Sequence, residues 1–163
     1  MKHLLIVFHS MTGGARQMAE AVLRGAASES AVQARLLRAP NARAEDVLQA
    51  DGYVFVTPEN LASIAGMMKD FFDRTYYAAL DRIAGRPYTT LVCAGSDGQN
   101  AVRQIERICT GWRLKAVCEP IIVCTHAQTP EAILAPKTIG AEDLRRCEDA
   151  GTAIAAGLAL GVF

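Results

Sequence analysis

Hydroxyl and glycine residues are concentrated in one short stretch near the start of the chain, Ser10 to Gly14, with the sequence SMTGG. Ser10 and Thr12 carry hydroxyl groups that can donate hydrogen bonds to phosphate oxygens. Gly13 and Gly14 let a backbone approach a ligand closely because they lack a Cβ atom. If a helix begins here, its first N–H groups and its dipole favour an anion. The stretch therefore indicates a phosphate site, although an ordinary strand–helix turn uses the same residue types for capping.

Two common phosphate motifs are absent from this stretch. It contains neither the G-x-x-x-x-G-K pattern of nucleoside triphosphate loops nor the G-x-G-x-x-G fingerprint of dinucleotide-binding folds. The residues on either side of the stretch nevertheless predict a strand before it and a helix after it. Leu4 to Phe8 form an apolar run with the length and composition of a buried parallel strand. After the stretch, apolar residues return at helical spacing, at Ala15, Met18, Ala19, Val22 and Ala26.

Two further polar stretches follow apolar strands in the same way. Pro58–Ser63 (PENLAS) follows the strand Tyr53–Thr57, and Gly95–Asn100 (GSDGQN) follows the strand Thr89–Ala94. The carboxyl ends of parallel strands meet at one edge of a sheet, where open α/β proteins bind ligands. We therefore expect these two stretches and Ser10–Gly14 to converge on one rim.

Strands and helices alternate five times along the chain. The remaining strands are expected at Val32–Arg38 and Val117–Cys124, the second with Pro120 marking a bulge or an edge. Helices are expected at Ala44–Gln49, Ile64–Tyr76, Val102–Trp112 and Leu144–Leu158. This order predicts a three-layer, doubly wound α/β fold with a five-stranded parallel sheet, in a single domain spanning residues 1–163.

Several side-chain roles are expected from these helices. Met67, Met68, Phe71 and Phe72 form a stripe that we expect to pack in the core, and we expect Trp112 to be a packing residue. Ser63 is expected to cap the helix that comes after it. Residues 125–140 are predicted to be a long connection containing two prolines.

Composition excludes several classes of function. Lysine plus arginine and aspartate plus glutamate number 17 each, so no basic excess favours nucleic acid. No apolar stretch is long enough for a membrane span. The five cysteines are odd in number and show no C-x-x-C spacing, which predicts buried thiols in a reducing cytoplasm and no metal centre. Met1-Lys2-His3 lead straight into a strand, so no signal peptide is expected.

Two segments resemble a known family. HSMTGGAR, from His9 to Arg16, resembles the phosphate loop of flavodoxin-like proteins, with Ala15 where that family has its last hydroxyl. The segment Ala50–Tyr77 is similar to the NAD(P)H:quinone oxidoreductases and FMN reductases, in which a Thr-Pro loop precedes a helix containing Met-Lys-x-Phe-x-Asp. The resemblance implies a flavodoxin-like sheet of strand order 2-1-3-4-5.

The resemblance also implies a cofactor and partners. FMN would place its phosphate on the first loop and its isoalloxazine between the second and third. NAD(P)H and a small electron acceptor would be the reactants, no side-chain acid or base would be catalytic, and a homodimer or homotetramer would be the assembly. The implied cofactor-binding residues are Ser10, Met11, Thr12, Gly13, Gly14, Ala15, Pro58, Glu59, Asn60, Leu61, Ala62, Ala94, Gly95, Ser96, Asp97 and Gly98.

Three functions stay open from the sequence. Neither Pro58–Ser63 nor Gly95–Asn100 contains an aromatic residue, which would leave one flavin face open and favours an NAD(P)H-dependent oxidoreductase over a flavodoxin-type electron carrier. The same aromatic-free loops could equally mean a weak flavin site and, together with the missing hydroxyl at Ala15, keep a third possibility, a flavin-free interaction protein. No distinct arginine cluster marks a site for a 2′-phosphate, so the sequence does not choose between NADH and NADPH.

Overall fold

A parallel sheet forms the centre of the computed structural model, which describes residues 1–163. The chain has seven strands, of which all but β4 belong to this parallel sheet: β1 (Lys2–Phe8), β2 (Val32–Arg38), β3 (Gly52–Asn60), β4 (Ser63–Ile64), β5 (Pro87–Ala94), β6 (Lys115–Ala116) and β7 (Ile121–Cys124). The order across the sheet is β2-β1-β3-β5, and β6 and β7 both pair parallel with β5. β6 and β7 together occupy the position of the fifth predicted strand, and β5 is the fourth. The predicted order 2-1-3-4-5 is therefore confirmed.

The last strand is interrupted, which corrects the single strand predicted over Val117–Cys124. β6 pairs with the start of β5 and β7 with its end, while residues 117–120 lie outside both strands. Pro120 has no N–H to donate to the ladder, so pairing resumes only after it. The predicted bulge at this proline is thus a complete break.

Helices cover both faces of the sheet. They are α1 (Gly14–Ala26), α2 (Ala44–Gln49), α3 (Gly66–Ala79), α4 (Gln99–Gly111), α5 (Pro130–Leu134) and α6 (Ala141–Leu160), with a 3₁₀ turn at Ala39–Asn41. Alternate side chains of β1 enter the two layers: Ile6 packs with α1 and α6, and Val7 packs with α2, α3 and α4. None of these helices combines the length and apolar character needed to cross a bilayer.

The second polar stretch is a β-hairpin, which corrects the loop predicted at Pro58–Ser63. β3 continues beyond Thr57, and its last two residues pair antiparallel with β4. The two turn residues, Leu61 and Ala62, have φ of 50° and 58°. Positive φ at both central residues is the geometry of a type I′ turn, which usually takes Asn-Gly. Leucine and alanine are not typical of this turn, so the sequence did not predict the hairpin.

Two polar side chains of α4 hold the hairpin. The Asn100 amide donates to the Ala62 carbonyl oxygen over 2.6 Å, and the Gln104 carbonyl oxygen accepts from the Ile64 N–H over 2.8 Å. The Gln104 amide also donates to Ser63 Oγ over 3.2 Å. Ser63 therefore lies in a strand, and the expectation that it caps α3 is wrong.

The third helix begins two residues later than its apolar spacing predicts. α3 starts at Gly66, and the Thr57 hydroxyl accepts the N–H of Ala65 just before it over 3.2 Å. Met67, predicted to be in the core, is instead exposed, while Met68, Phe71 and Phe72 are buried as expected. The shift is caused by the hairpin, because Ile64 is held in β4.

The packing role predicted for Trp112 is confirmed. Its side chain is fully buried, its indole N–H donates to the Tyr76 carbonyl oxygen over 2.9 Å, and its ring stacks on that of Tyr76. At the end of α6, Ile154 and Leu158 are buried, whereas Leu160 is exposed.

The strained hairpin turn gives a stability prediction. Replacing Ala62 with glycine should raise the free energy of unfolding by about 0.5–1 kcal/mol, because glycine adopts positive φ without the clash of a Cβ atom. The matched control is Ala153→Gly, at an exposed position inside α6, which should lower the same quantity by about 1 kcal/mol. Urea unfolding measures both, and equal losses would contradict the positive-φ turn.

The close packing of α1 on β5 gives a second prediction. A Cβ atom at Gly14 would lie 2.6 Å from the Cys93 Sγ atom, closer than such atoms approach. Gly14→Ala should therefore cost about 1–3 kcal/mol of stability, and Cys93→Ala in the same chain should recover much of that loss. Gly66→Ala is the control, since a Cβ there would meet nothing within 4 Å. Additive losses in the double variant would contradict this contact.

Candidate functional site

One cleft opens at the carboxyl ends of β1, β3 and β5. Its volume is about 470 Å³, and all three polar stretches line it. This is the edge at which open parallel sheets bind ligands. The predicted residues that line the cleft are Ser10, Met11, Thr12, Gly14, Ala15, Pro58, Glu59, Asn60, Leu61, Ala62, Ala94, Gly95 and Ser96.

The first loop presents hydrogen-bond donors to this cleft. Gly13 precedes α1 with φ 94°, and its N–H donates to Ser10 Oγ over 3.0 Å. Its carbonyl oxygen accepts from the N–H of Gln17, so the helix proper starts at Gly14. The N–H groups of Gly14 and Ala15 have no acceptor within the helix, and both residues line the cleft. The loop thus offers two backbone donors and two hydroxyl groups where the helix dipole is positive.

Gly13 does not line the cleft itself and has a conformational role. Its φ is in the left-handed region, where a side chain would be strained. This conformation turns the chain between β1 and α1.

The hairpin supplies the polar edge of the opposite wall. Glu59 and Asn60 end β3, and Leu61 at the tip is fully exposed. The Glu59 Oε2 atom is buried yet has no hydrogen-bond partner. A buried carboxylate oxygen without a partner is costly, so this atom is available to a ligand that brings a donor.

The third stretch is divided between the cleft and the start of α4. Gly95 and Ser96 line the cleft, whereas Asp97 and Gly98 do not. Asp97 Oδ1 accepts from the N–H of Gln99 over 3.4 Å, and Gly98 precedes α4 with φ 85°. A Cβ atom at Gly98 would also lie 2.8 Å from the Ile122 side chain. These two predicted site residues therefore initiate a helix.

The connection after β7 forms a wall of the cleft that the sequence did not predict. Its lining residues, together with the buried Cys93 of β5, are Thr125, Ala127, Gln128, Ile133 and Lys137. The short helix α5 lies in this segment, for which the sequence predicts only a connection. Thr125 immediately follows the carboxyl end of a strand, so the rule that located the other three stretches applies to it as well.

Lys137 is the cation of this wall, but its amine is engaged by backbone. Nζ donates to the carbonyl oxygens of Ala132 over 2.7 Å and of Ile133 over 2.8 Å. Unpaired carbonyl groups at a helix end favour such a contact. The lysine side chain therefore caps the carboxyl end of α5.

The cleft contains no nucleophile prepared for covalent chemistry. Burial raises the pKa of the Cys93 thiol to about 11, although Lys137 acts in the opposite direction. Glu59 is the only carboxylate that lines the cleft, and no aromatic residue lines it. Met11, Leu61 and Ile133 place exposed apolar side chains along it. Such a site can bind an anion at one end and a flat, partly apolar group at the other.

A smaller cleft of about 410 Å³ lies beside the first loop. Arg16 and Arg38 line it together with Met11, Thr12 and Gly13. His9 precedes this loop, and burial and the charge of Arg38 both lower its pKa. Two arginines therefore lie beside the first loop, and of these Arg16 forms an ion pair with Glu20.

Comparisons with known proteins agree with this architecture. Residues 38–128, more than half of the chain, match the NADPH-dependent FMN reductase family. An NAD(P)H dehydrogenase (quinone) of Acidithiobacillus ferrooxidans is 33% identical over 95 residues, which are 46% of this chain and 48% of that protein. A flavodoxin of Aquifex aeolicus is 38% identical over 73 residues, which are 45% of this chain and 40% of that protein.

A solved structure shows the same fold over the whole length. The WrbA-like flavodoxin protein of Agrobacterium tumefaciens superposes with a TM-score of 0.74 and 16% identity, covering 99% of each chain. The chain spans about half the length, or less, of the two sequence relatives from Acidithiobacillus and Aquifex. Since the family match covers more than half of its residues, the chain belongs to the NADPH-dependent FMN reductase family.

Proposed function

We propose that this protein is an FMN-dependent oxidoreductase that takes electrons from NAD(P)H and delivers them to a quinone, a free flavin or another small acceptor. The observation that carries the proposal is one cleft in which the donors of the first loop and an unpaired buried carboxylate oxygen on the hairpin form two of the walls. Family membership and relatives named as quinone dehydrogenases support it.

The lining residues fit FMN at both ends. Ser10 and Thr12 would hold the phosphate with their hydroxyl groups, and Gly14 and Ala15 with their N–H groups. Ala15 takes part through its backbone alone, since its methyl group cannot donate. At the other end, Glu59 Oε2 offers the acceptor that the imide N–H of a flavin requires.

The protein's contribution to the reaction is binding and orientation. When bound, FMN would supply the hydride and electron chemistry, so no side-chain acid or base is needed. The cleft lacks an aromatic residue that would cover the ring, which leaves space for a nicotinamide or an acceptor. This open face favours an enzyme over an electron carrier.

Location and assembly are also part of the proposal. The five cysteines are all free thiols, which suits a reducing cytoplasm. Leu160 and Val162 at the end of the chain are exposed and offer an apolar surface for contact with a second copy in a homodimer or homotetramer.

Phosphate binding on the first loop can be tested with two flavins. Thr12→Ala should raise the Kd for FMN about tenfold, because a hydrogen bond to a charged group is lost, and leave the Kd for riboflavin unchanged. Thr12→Ser keeps the hydroxyl group and is the matched control. Quenching of flavin fluorescence gives both constants. Equal losses for FMN and riboflavin would argue against a phosphate site at Thr12.

Turnover separates the proposed function from its alternatives. The protein loaded with FMN should oxidise NADPH or NADH in the presence of a small quinone, with no other protein added. A flavin-loaded protein that requires a separate reductase would be an electron carrier. Failure of the purified protein to take up FMN, judged from its visible spectrum, would favour the flavin-free interaction protein.

A further inference from the structure

A second groove lies beside the hairpin and is lined by its β4 residues, whereas the end of β3 and the turn line the cleft. Its volume is about 610 Å³, and it is formed by β4, the start of α3 and one face of α4. Three cationic residues, Lys69, Arg103 and Arg107, line it together with Asn100 and Gln104. No carboxylate lines it, so the charged residues of its lining are all cationic in a chain without net charge.

Two of these cations have no partner in the protein. Lys69 forms an ion pair with Asp73, whereas neither Arg103 nor Arg107 forms an ion pair or a hydrogen bond through its side chain. Both are exposed, and they lie one turn apart on α4, where like charges repel. An anion bound between them would relieve this repulsion.

The groove adjoins the cleft at the hairpin. Asn100, which lines the groove, donates to the carbonyl oxygen of Ala62, which lines the cleft. Gln104, also in the groove, holds Ser63 and Ile64. The groove and the cleft thus border the same hairpin, and a ligand that extends past its turn would reach both.

We propose that the groove binds the adenylate half of NADPH, with Arg103 and Arg107 on its 2′-phosphate. This inference rests on the proposed function, which would place the nicotinamide in the cleft. A phosphate monoester is doubly charged, and planar guanidinium groups bind it through paired hydrogen bonds. NADH lacks this phosphate and would leave both arginines unpaired. The groove therefore makes the protein prefer NADPH.

Binding of a fragment tests the groove without turnover or flavin. Adenosine 2′,5′-bisphosphate should bind the wild-type protein more tightly than adenosine 5′-monophosphate in calorimetry. Arg103→Gln and Arg107→Gln should each raise the Kd of the bisphosphate about tenfold. The control is Arg145→Gln, which removes the same charge from an exposed position on α6 and should change nothing. Thermal melting verifies that all variants are folded.

Two results of this titration would overturn the inference. One is a bisphosphate affinity that Arg103→Gln and Arg107→Gln leave unchanged. The other is a loss confined to Arg16→Gln or Arg38→Gln, which would place the phosphate in the smaller cleft beside the first loop.

Kinetics distinguish failure of this inference from failure of the proposed function. In the FMN-loaded protein, the double variant should raise KM for NADPH while leaving kcat and the KM for NADH unchanged. NADPH turnover that is insensitive to Arg103 and Arg107 would overturn the groove and leave the proposed function intact. No turnover with either nucleotide in the wild-type protein would overturn the proposed function itself.

Discussion

The geometry of the cleft depends on one amide side chain, that of Gln17. Its Nε2 atom donates to the carbonyl oxygens of Gly13 over 2.9 Å and of Lys137 over 2.7 Å, while its Oε1 atom accepts from the N–H of Ile139 over 3.0 Å. The N–H of Lys137 also donates to the carbonyl oxygen of Thr12 over 2.8 Å. The first loop and the connection after β7 are thereby joined, although Gln17 and Lys137 are 120 residues apart in sequence. Without these bonds, ordering the long connection would cost conformational entropy with little return.

The other walls are also held by hydrogen bonds between neighbouring elements, some from polar side chains and some between backbone groups. Asn100 and Gln104 of α4 hold the hairpin. The N–H and hydroxyl of Thr125 both donate to the carbonyl oxygen of Ala94, and the N–H of His126 donates to that of Gly95. Each cleft-forming loop is thus fixed by its neighbours on a sheet that is itself packed on both faces. A site built in this way can hold a ligand's polar atoms in place before the ligand arrives, which lowers the cost of binding.

Burial and strand direction could be predicted from the sequence, whereas contacts between distant residues could not. Apolar runs such as Leu4–Phe8 identified the parallel strands, and the rule for their carboxyl ends brought three polar stretches to one rim. The sequence did not predict the hairpin because leucine and alanine have no propensity for the positive φ of Leu61 and Ala62. A hydrogen bond from Asn100 of α4 to the Ala62 carbonyl oxygen holds this turn. Because the hairpin includes Ile64, α3 begins later than predicted and Met67 is exposed. Lys137 was missed because a connection shows no periodicity, and a hydrogen bond from Gln17 brings that connection to the site.

Charge shows the same limit of sequence reasoning. A neutral total and scattered arginines gave no reason to expect a basic surface. Arg103 and Arg107 are four residues apart in a helix whose other face is buried, a pattern that usually indicates only a solvated surface. In the folded protein this helix face is part of a groove, because β4 and the start of α3 form a wall beside it. Asn100 and Gln104 of α4 line the groove and bond the hairpin, whose turn residues Leu61 and Ala62 line the cleft. One hairpin thereby borders both the cleft and the groove, and hydrogen bonds from α4 hold it there.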